Sequence, residues 1–144
     1  MPIITATDLA SNIYAEVLTQ ITRNDPTITD KAINAAIQEA KMYLARFDLN
    51  QLFGTRGGAP GFQDEYLKSL VKDIACWHLL RLSNPGIDLS TYRTAYQDAI
   101  ASLKNIMTGQ AQPQGWNYAN TDTLTAAKGD SINWSSNPKR ENFY

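Results

Sequence analysis

Apolar residues recur at helical spacing in four separate stretches of the chain. Near the start, Leu9, Ile13, Val17 and Ile21 stand every four residues, with Tyr14 and Leu18 beside them. With about 3.6 residues per turn, this lays one apolar stripe along a helix. Thr5, three residues ahead of Asp8, is a variant of the capping box. Asn24-Asp25-Pro26 is expected to end this first helix. A second helix is expected from a cap at Thr29 or Asp30. Ile33, Ile37, Ala40, Leu44 and Phe47 follow at spacings of 4, 3, 4 and 3, the clearest period in the chain. Ala32, Ala35, Ala36, Ala40 and Ala45 leave room for another helix to approach closely. Asp64 can start a third helix, whose inner face reads Leu67, Leu70, Val71, Ile74, Trp77 and Arg81 or Leu82. Asn84-Pro85-Gly86 stops it. Asp88 or Ser90 then caps a fourth, with Tyr92, Tyr96, Ala99, Leu103 and Ile106 on one side and Gly109 at its C-terminal end.

Two stretches break the helical pattern. Residues 48–63, DLNQLFGTRGGAPGFQ, hold four glycines and one proline and read as a loop of 16 residues. Loops of that length are uncommon in compact domains and are often functional. GTRGGAPG resembles a phosphate-binding loop only superficially, since it lacks the Gly-Lys-Ser/Thr ending. From Gln110 the helical period is lost, and the only large aliphatics that remain are Leu124 and Ile132. Yet this stretch carries Trp116, Tyr118, Trp134, Phe143 and Tyr144, whereas disordered tails are poor in aromatics. Such an arm either docks on a neighbouring subunit or folds back on its own helices. The pattern as a whole predicts an all-α fold. It is a compact bundle of about four helices over residues 1–109, with a long glycine-rich loop and an extended, mostly irregular C-terminal arm over residues 110–144.

Composition narrows the function classes. The chain has 144 residues, enough for one domain with a real core, and no apolar run approaches the ~20 residues that span a membrane. MPIITATDLA lacks the basic and apolar parts of a signal peptide, so none is expected. The formal net charge is −1, with no basic block of the kind that marks phosphate binding. A single cysteine excludes an internal disulfide.

The stretch VKDIACWHLL places Asp73, the lone Cys76 and the lone His78 within six positions. On a helix, with about 100° per residue, Cys76 and His78 stand about 200° apart and cannot share a metal or form a nucleophile–base pair. Asp73 and Cys76 share a face, but that pair has no catalytic logic of its own. A zinc site takes about four ligands, which one cysteine and one histidine do not supply. Cys76 therefore reads as a small buried hydrophobe and His78 as a residue at the edge of the packed face. Asp64-Glu65 reads as helix-start chemistry and Asp25 and Asp30 as turn and cap residues. No two acids share an apolar face as acid–base catalysis requires. No catalytic, cofactor or metal residue is expected.

In their order, four segments resemble the small head–tail connector (head-completion or neck adaptor) proteins of tailed bacteriophages, of the type found in Mu-like phages and prophages. ITATDLASNIYAEVLTQIT, residues 4–22, is similar to the family's extended entry into a T-x-x-D-L helix. ITDKAINAAIQEAKMYLARFDLNQLF, residues 28–53, resembles its Ala-rich helix, with Ala36, Ile37, Ala40, Tyr43, Leu44 and Arg46-Phe47 in the pattern that ends yL-x-x-R-aromatic. LKSLVKDIACWHLL, residues 67–80, resembles its L-x-x-i-x-x-D-I-A-x-aromatic-x-L helix, and SSNPKRENFY its basic-aromatic ending. The chain departs from the family at GTRGGAPG, where a proline-containing segment is common. The resemblance implies a structural virion protein at the neck, made in the cytoplasm of a bacterial host, with neither catalysis nor cofactor. Its partners would be copies of itself in a ring, expected to be twelve-fold, the portal protein above and a neck or tail protein below, with non-specific contact to DNA in the channel and none to membrane. Trp116, Tyr118, Trp134, Phe143 and Tyr144 are the expected interface anchors. Arg56 is expected either to face channel or portal or to be a solvated loop charge. The alternatives are a helical DNA-binding regulator, disfavoured by the acidic, Ala-rich opening of the second helix, and a protein–protein adaptor outside virions.

Overall fold

The computed structural model describes residues 3–54, 62, 64–82 and 88–119. Over these the chain is all-α, as the periodicity predicts. A 3-10 turn, Asp8–Ser11, leads into α1 (Ala15–Thr22), α2 (Pro26–Tyr43), α3 (Leu49–Phe53), α4 (Glu65–Leu80) and α5 (Ser90–Thr108). Arg56, Trp134, Phe143 and Tyr144 lie outside the described residues.

Helix α4 is the centre of the bundle. It buries Leu67, Leu70, Val71, Ile74, Ala75, Cys76, Leu79 and Leu80, and it packs against both α2 and α5. The α2 face that meets it carries Ala32, Ala36 and Ala40, spaced four apart and all buried, beside Ile33 and Ile37. Small side chains there let the two helices close together, and Ile33 and Ile37 flank them. Helix α5 contributes Ala99, Ile100, Leu103 and Ile106, and ends at Gly109 with φ +85°, a left-handed conformation that glycine adopts without Cβ strain.

Three boundaries differ from the sequence expectation, each for a local reason. The stripe from Leu9 to Ile21 is not one helix. It breaks at Tyr14, which is extended, because the preceding turn is tied sideways onto α4: Asn12 donates to the Asp73 carboxylate at 2.9 Å and Lys72 to the Ser11 hydroxyl at 3.2 Å. Leu9 and Ile13 are thereby fully buried while Val17 and Ile21 only flank the core. Helix α2 starts at Pro26, not after a cap at Thr29 or Asp30. Asp25 accepts from the Thr27 N–H at 2.9 Å, and Pro26 takes the first helical position, where its missing N–H costs nothing. Thr29 sits buried in the helix interior. The Asn24-Asp25-Pro26 signal thus stops one helix and starts the next. Finally, α2 ends at Tyr43, and the loop expected from residue 48 opens with α3, capped by the Asp48 carboxylate on the amides of Asn50 and Gln51.

Because α4 touches both flanking helices, its mid-face residue Ile74 is a sensitive probe. Ile74→Ala is expected to lower the unfolding free energy by about 2–5 kcal/mol, measured by urea denaturation.

Candidate interaction site at the root of the C-terminal arm

The chain does not leave the body at residue 109. Residues 115–119 run back over the link between α2 and α3, over α3 and over the start of α4. Trp116 is 6% exposed and belongs to the core. Its indole N–H donates to the Asp64 carboxylate at 2.8 Å. The other oxygen of Asp64 accepts from the Leu67 amide, also at 2.8 Å, and so caps α4. One side chain thus satisfies a helix terminus and a buried indole together. The Trp116 ring meets Phe47 edge-on at 5.5 Å, a preferred aromatic geometry.

On either side of Trp116 the arm is held by backbone bonds. Gln51 on α3 uses both ends of its amide: it donates to the Gly115 carbonyl at 3.0 Å and accepts from the Asn117 N–H at 2.8 Å. Gly115 has φ +81°, and a Cβ there would meet the Phe62 ring at 3.3 Å, so this corner requires glycine. The Asn117 carbonyl accepts from the Asp48 N–H at 2.8 Å, and the Ala119 N–H donates to the Arg46 carbonyl at 2.9 Å. These bonds frame a single antiparallel bridge between Phe47 and Tyr118, whose rings stack at 5.2 Å. Tyr118 remains 57% exposed. The Arg46 guanidinium lies 5.1 Å from the Phe47 ring centre and 5.5 Å from that of Tyr118.

Of the expected interface anchors, the structure therefore brings Trp116 and Tyr118 together at the arm root and spends both on the chain itself. Trp116 is buried in the chain's own core and holds the arm root to the body, whereas Tyr118 keeps a large exposed face.

The Asp73–Cys76–His78 stretch resolves into three separate environments. Cys76 is buried, and desolvation, reinforced by the neighbouring Asp73 charge, pushes its thiol up to about 12. Asp73 is raised above the usual carboxylate range, chiefly by burial, against the pull of Lys72 and of the Asn12 hydrogen bond. His78 pairs with Glu39 at 2.9 Å, and the other oxygen of Glu39 accepts from the Tyr96 hydroxyl at 2.7 Å. That bond, followed by burial, raises Tyr96 to about 12. Trp77 stacks on Tyr96 at 5.8 Å. One residue each from α2, α4 and α5 meets in this clamp, which aligns the three main helices. Sequence reading missed the clamp, because its partners lie 39 and 57 positions apart. Among the described residues no group of three or more His, Cys, Asp or Glu side chains could hold a metal ion, and no helix is long and apolar enough to cross a membrane. Comparison with protein-family models, with curated proteins and with solved structures returns no match for this chain.

Two predictions follow from these placements. A chain ending at Ala119 should melt cooperatively at the full-length temperature. One ending at Gly109 should lose several kcal/mol, comparable with the ~3–5 kcal/mol expected for Trp116→Ala; thermal unfolding by circular dichroism reads both. Cys76 should resist thiol reagents at pH 8, where a thiol near 12 is ionised on the order of one part in ten thousand, and should react only as fast as the domain unfolds.

Proposed function

We propose that this chain is a structural virion protein of the head–tail connector type. In this reading it forms a ring beneath the portal, extends the DNA channel and offers a docking surface to the next neck or tail protein. The observation that carries the reading is the arm root. A ring subunit needs a rigid body and an arm with a fixed root, and Trp116, Gln51 and the Phe47–Tyr118 bridge hold residues 115–119 on the body. The 25 residues from 120 to 144 hold Trp134, Phe143 and Tyr144, aromatic side chains of the kind that dominate interface energetics. The four-segment resemblance to connector proteins supports the same reading, and the small formal charge of −1 suits a subunit held by protein contacts more than by phosphates. The chain works here through binding surfaces, without catalysis or cofactor.

Peptide mass spectrometry of purified virions, followed by cryo-electron microscopy of the neck, tests this. The reading predicts a ring of this chain between portal and tail. It further predicts that a chain lacking residues 120–144 stays folded yet is missing from particles. Infectious particles that lack the full-length protein would refute it.

A further inference from the structure

Two donor groups of the Arg46 guanidinium, at its buried Nε and Nη2 atoms, find no hydrogen-bond partner among the described residues. Buried cations without acceptors are costly and rare. Two features soften the cost. The rings of Phe47 and Tyr118 lie 5.1 and 5.5 Å from the guanidinium, and Gly109 next to it marks the C-terminal end of α5, where helix carbonyls concentrate partial negative charge. Neither feature accepts from the two N–H groups. Those groups form a matched pair: Nε–H and Nη2–H point the same way along one edge of the planar fork, at the spacing of the two oxygens of a carboxylate.

The surroundings show where such a group would enter. Phe47 is 3% exposed and fixed in the core, whereas Tyr118 is 57% exposed, so the way to the guanidinium from solvent runs past the Tyr118 ring. An open hollow of about 400 Å³ flanks the Phe47–Tyr118 bridge, lined by Ala45, Phe47, Asp48, Leu49, Asn50 and Ala119 but not by Arg46 or Tyr118 themselves.

We infer that Arg46 is the receptor for a carboxylate on a second copy of this chain, presented by the arm segment Arg140-Glu141-Asn142-Phe143-Tyr144. The inference rests on the assembly proposed above. The last described residue of the arm lies at the receptor, since the Ala119 amide is bonded to the Arg46 carbonyl. Its remaining 25 residues (144 minus 119) can span up to about 80 Å at ~3.3 Å each, far beyond the ~13 Å radius of gyration of a body of about 100 residues. The charge orders are complementary: the receptor sets Arg46 two positions from Asp48, and the arm sets Glu141 next to Arg140. Phe143 and Tyr144 bring aromatic surface to a site walled by Phe47 and Tyr118.

The test uses the full-length chain with its arginines labelled for NMR and, as probe, a synthetic peptide of residues 136–144. The peptide should shift the Arg46 Nε–H resonance. A peptide with Gln at position 141 should bind about tenfold more weakly or worse, and an Arg46→Met chain should not bind. That variant should melt at the wild-type temperature or above it, because it deletes two buried donors that have no acceptor among the described residues. If it does not fold, Arg46→Lys, which keeps the charge and loses the fork, should show the same loss of binding. Mixing Arg46→Met with Glu141→Gln chains should give one-to-one pairs by native mass spectrometry, while each alone stays monomeric. An unmoved Arg46 signal, equal binding of the Gln peptide, or an Arg46→Met chain that loses stability but keeps the peptide overturns the assignment. Absence of mixed pairs overturns the second copy as the source. The peptide result does not depend on where the chain resides, so failure of the connector reading and failure of the receptor are told apart.

Discussion

The Asp64 carboxylate joins the start of α4 to the root of the C-terminal arm. Buried indole N–H groups and helix N-termini both demand acceptors, and an unsatisfied one of either kind costs about 1–3 kcal/mol. Asp64 meets both demands at 2.8 Å, with one oxygen for Leu67 and the other for Trp116. The start of α4 and the root of the arm are therefore placed by the same side chain. Phe47, edge-on to Trp116 and stacked on Tyr118, then carries that placement to the end of α2. The helical core would exist without this junction, but the arm root would lose the buried contact that ties it to α4.

A second polar cluster does for the helices what Asp64 does for the arm. Glu39 accepts from Tyr96 and pairs with His78, linking α2, α5 and α4. Alanine faces alone can slide, since small residues define closeness better than register. A carboxylate shared between two partners defines register, because any slip leaves a partly buried charge without its acceptor geometry. Asp73, joined to Asn12, plays the corresponding part for the N-terminal turn. Thus the chain's one histidine and two partly buried acids, Glu39 and Asp73, are spent on alignment, and its one thiol on packing.

Legibility in the sequence followed the range of the interaction. The apolar faces of α2, α4 and α5 could be read directly, because helix period is a local property and their core residues Ile33, Ile37, Leu67, Ile74, Leu103 and Ile106 obey it. The Asp64 cap and the Gly109 terminus were legible for the same reason. The break at Tyr14 was not, because the periodicity runs on through it and the cause lies on α4. The start of α2 was misplaced because Asp-Pro is both a terminator and an initiator, and only the Asp25–Thr27 bond decides between them. The arm root shows the limit most clearly. Its polar composition was legible, and so was the anomaly of its aromatics, but the choice between folding back and reaching out depended on Asp64 and Gln51, 52 and 64 positions from their partners Trp116 and Gly115. The first ten residues fold back, and Trp116 is a core residue.

The functional account depends on the arm root being a permanent member of the body. Native-state hydrogen exchange at the Trp116 indole N–H, with the Ala119 amide alongside, measures that directly. If the junction is as tight as its geometry implies, the indole proton exchanges only through global unfolding, with the protection of the central α4 amides, while Ala119 at the margin opens more readily. An indole proton that exchanges through local opening, far faster than α4, would contradict the account: the arm would then be a loose tail, and nothing about its launch point would be fixed.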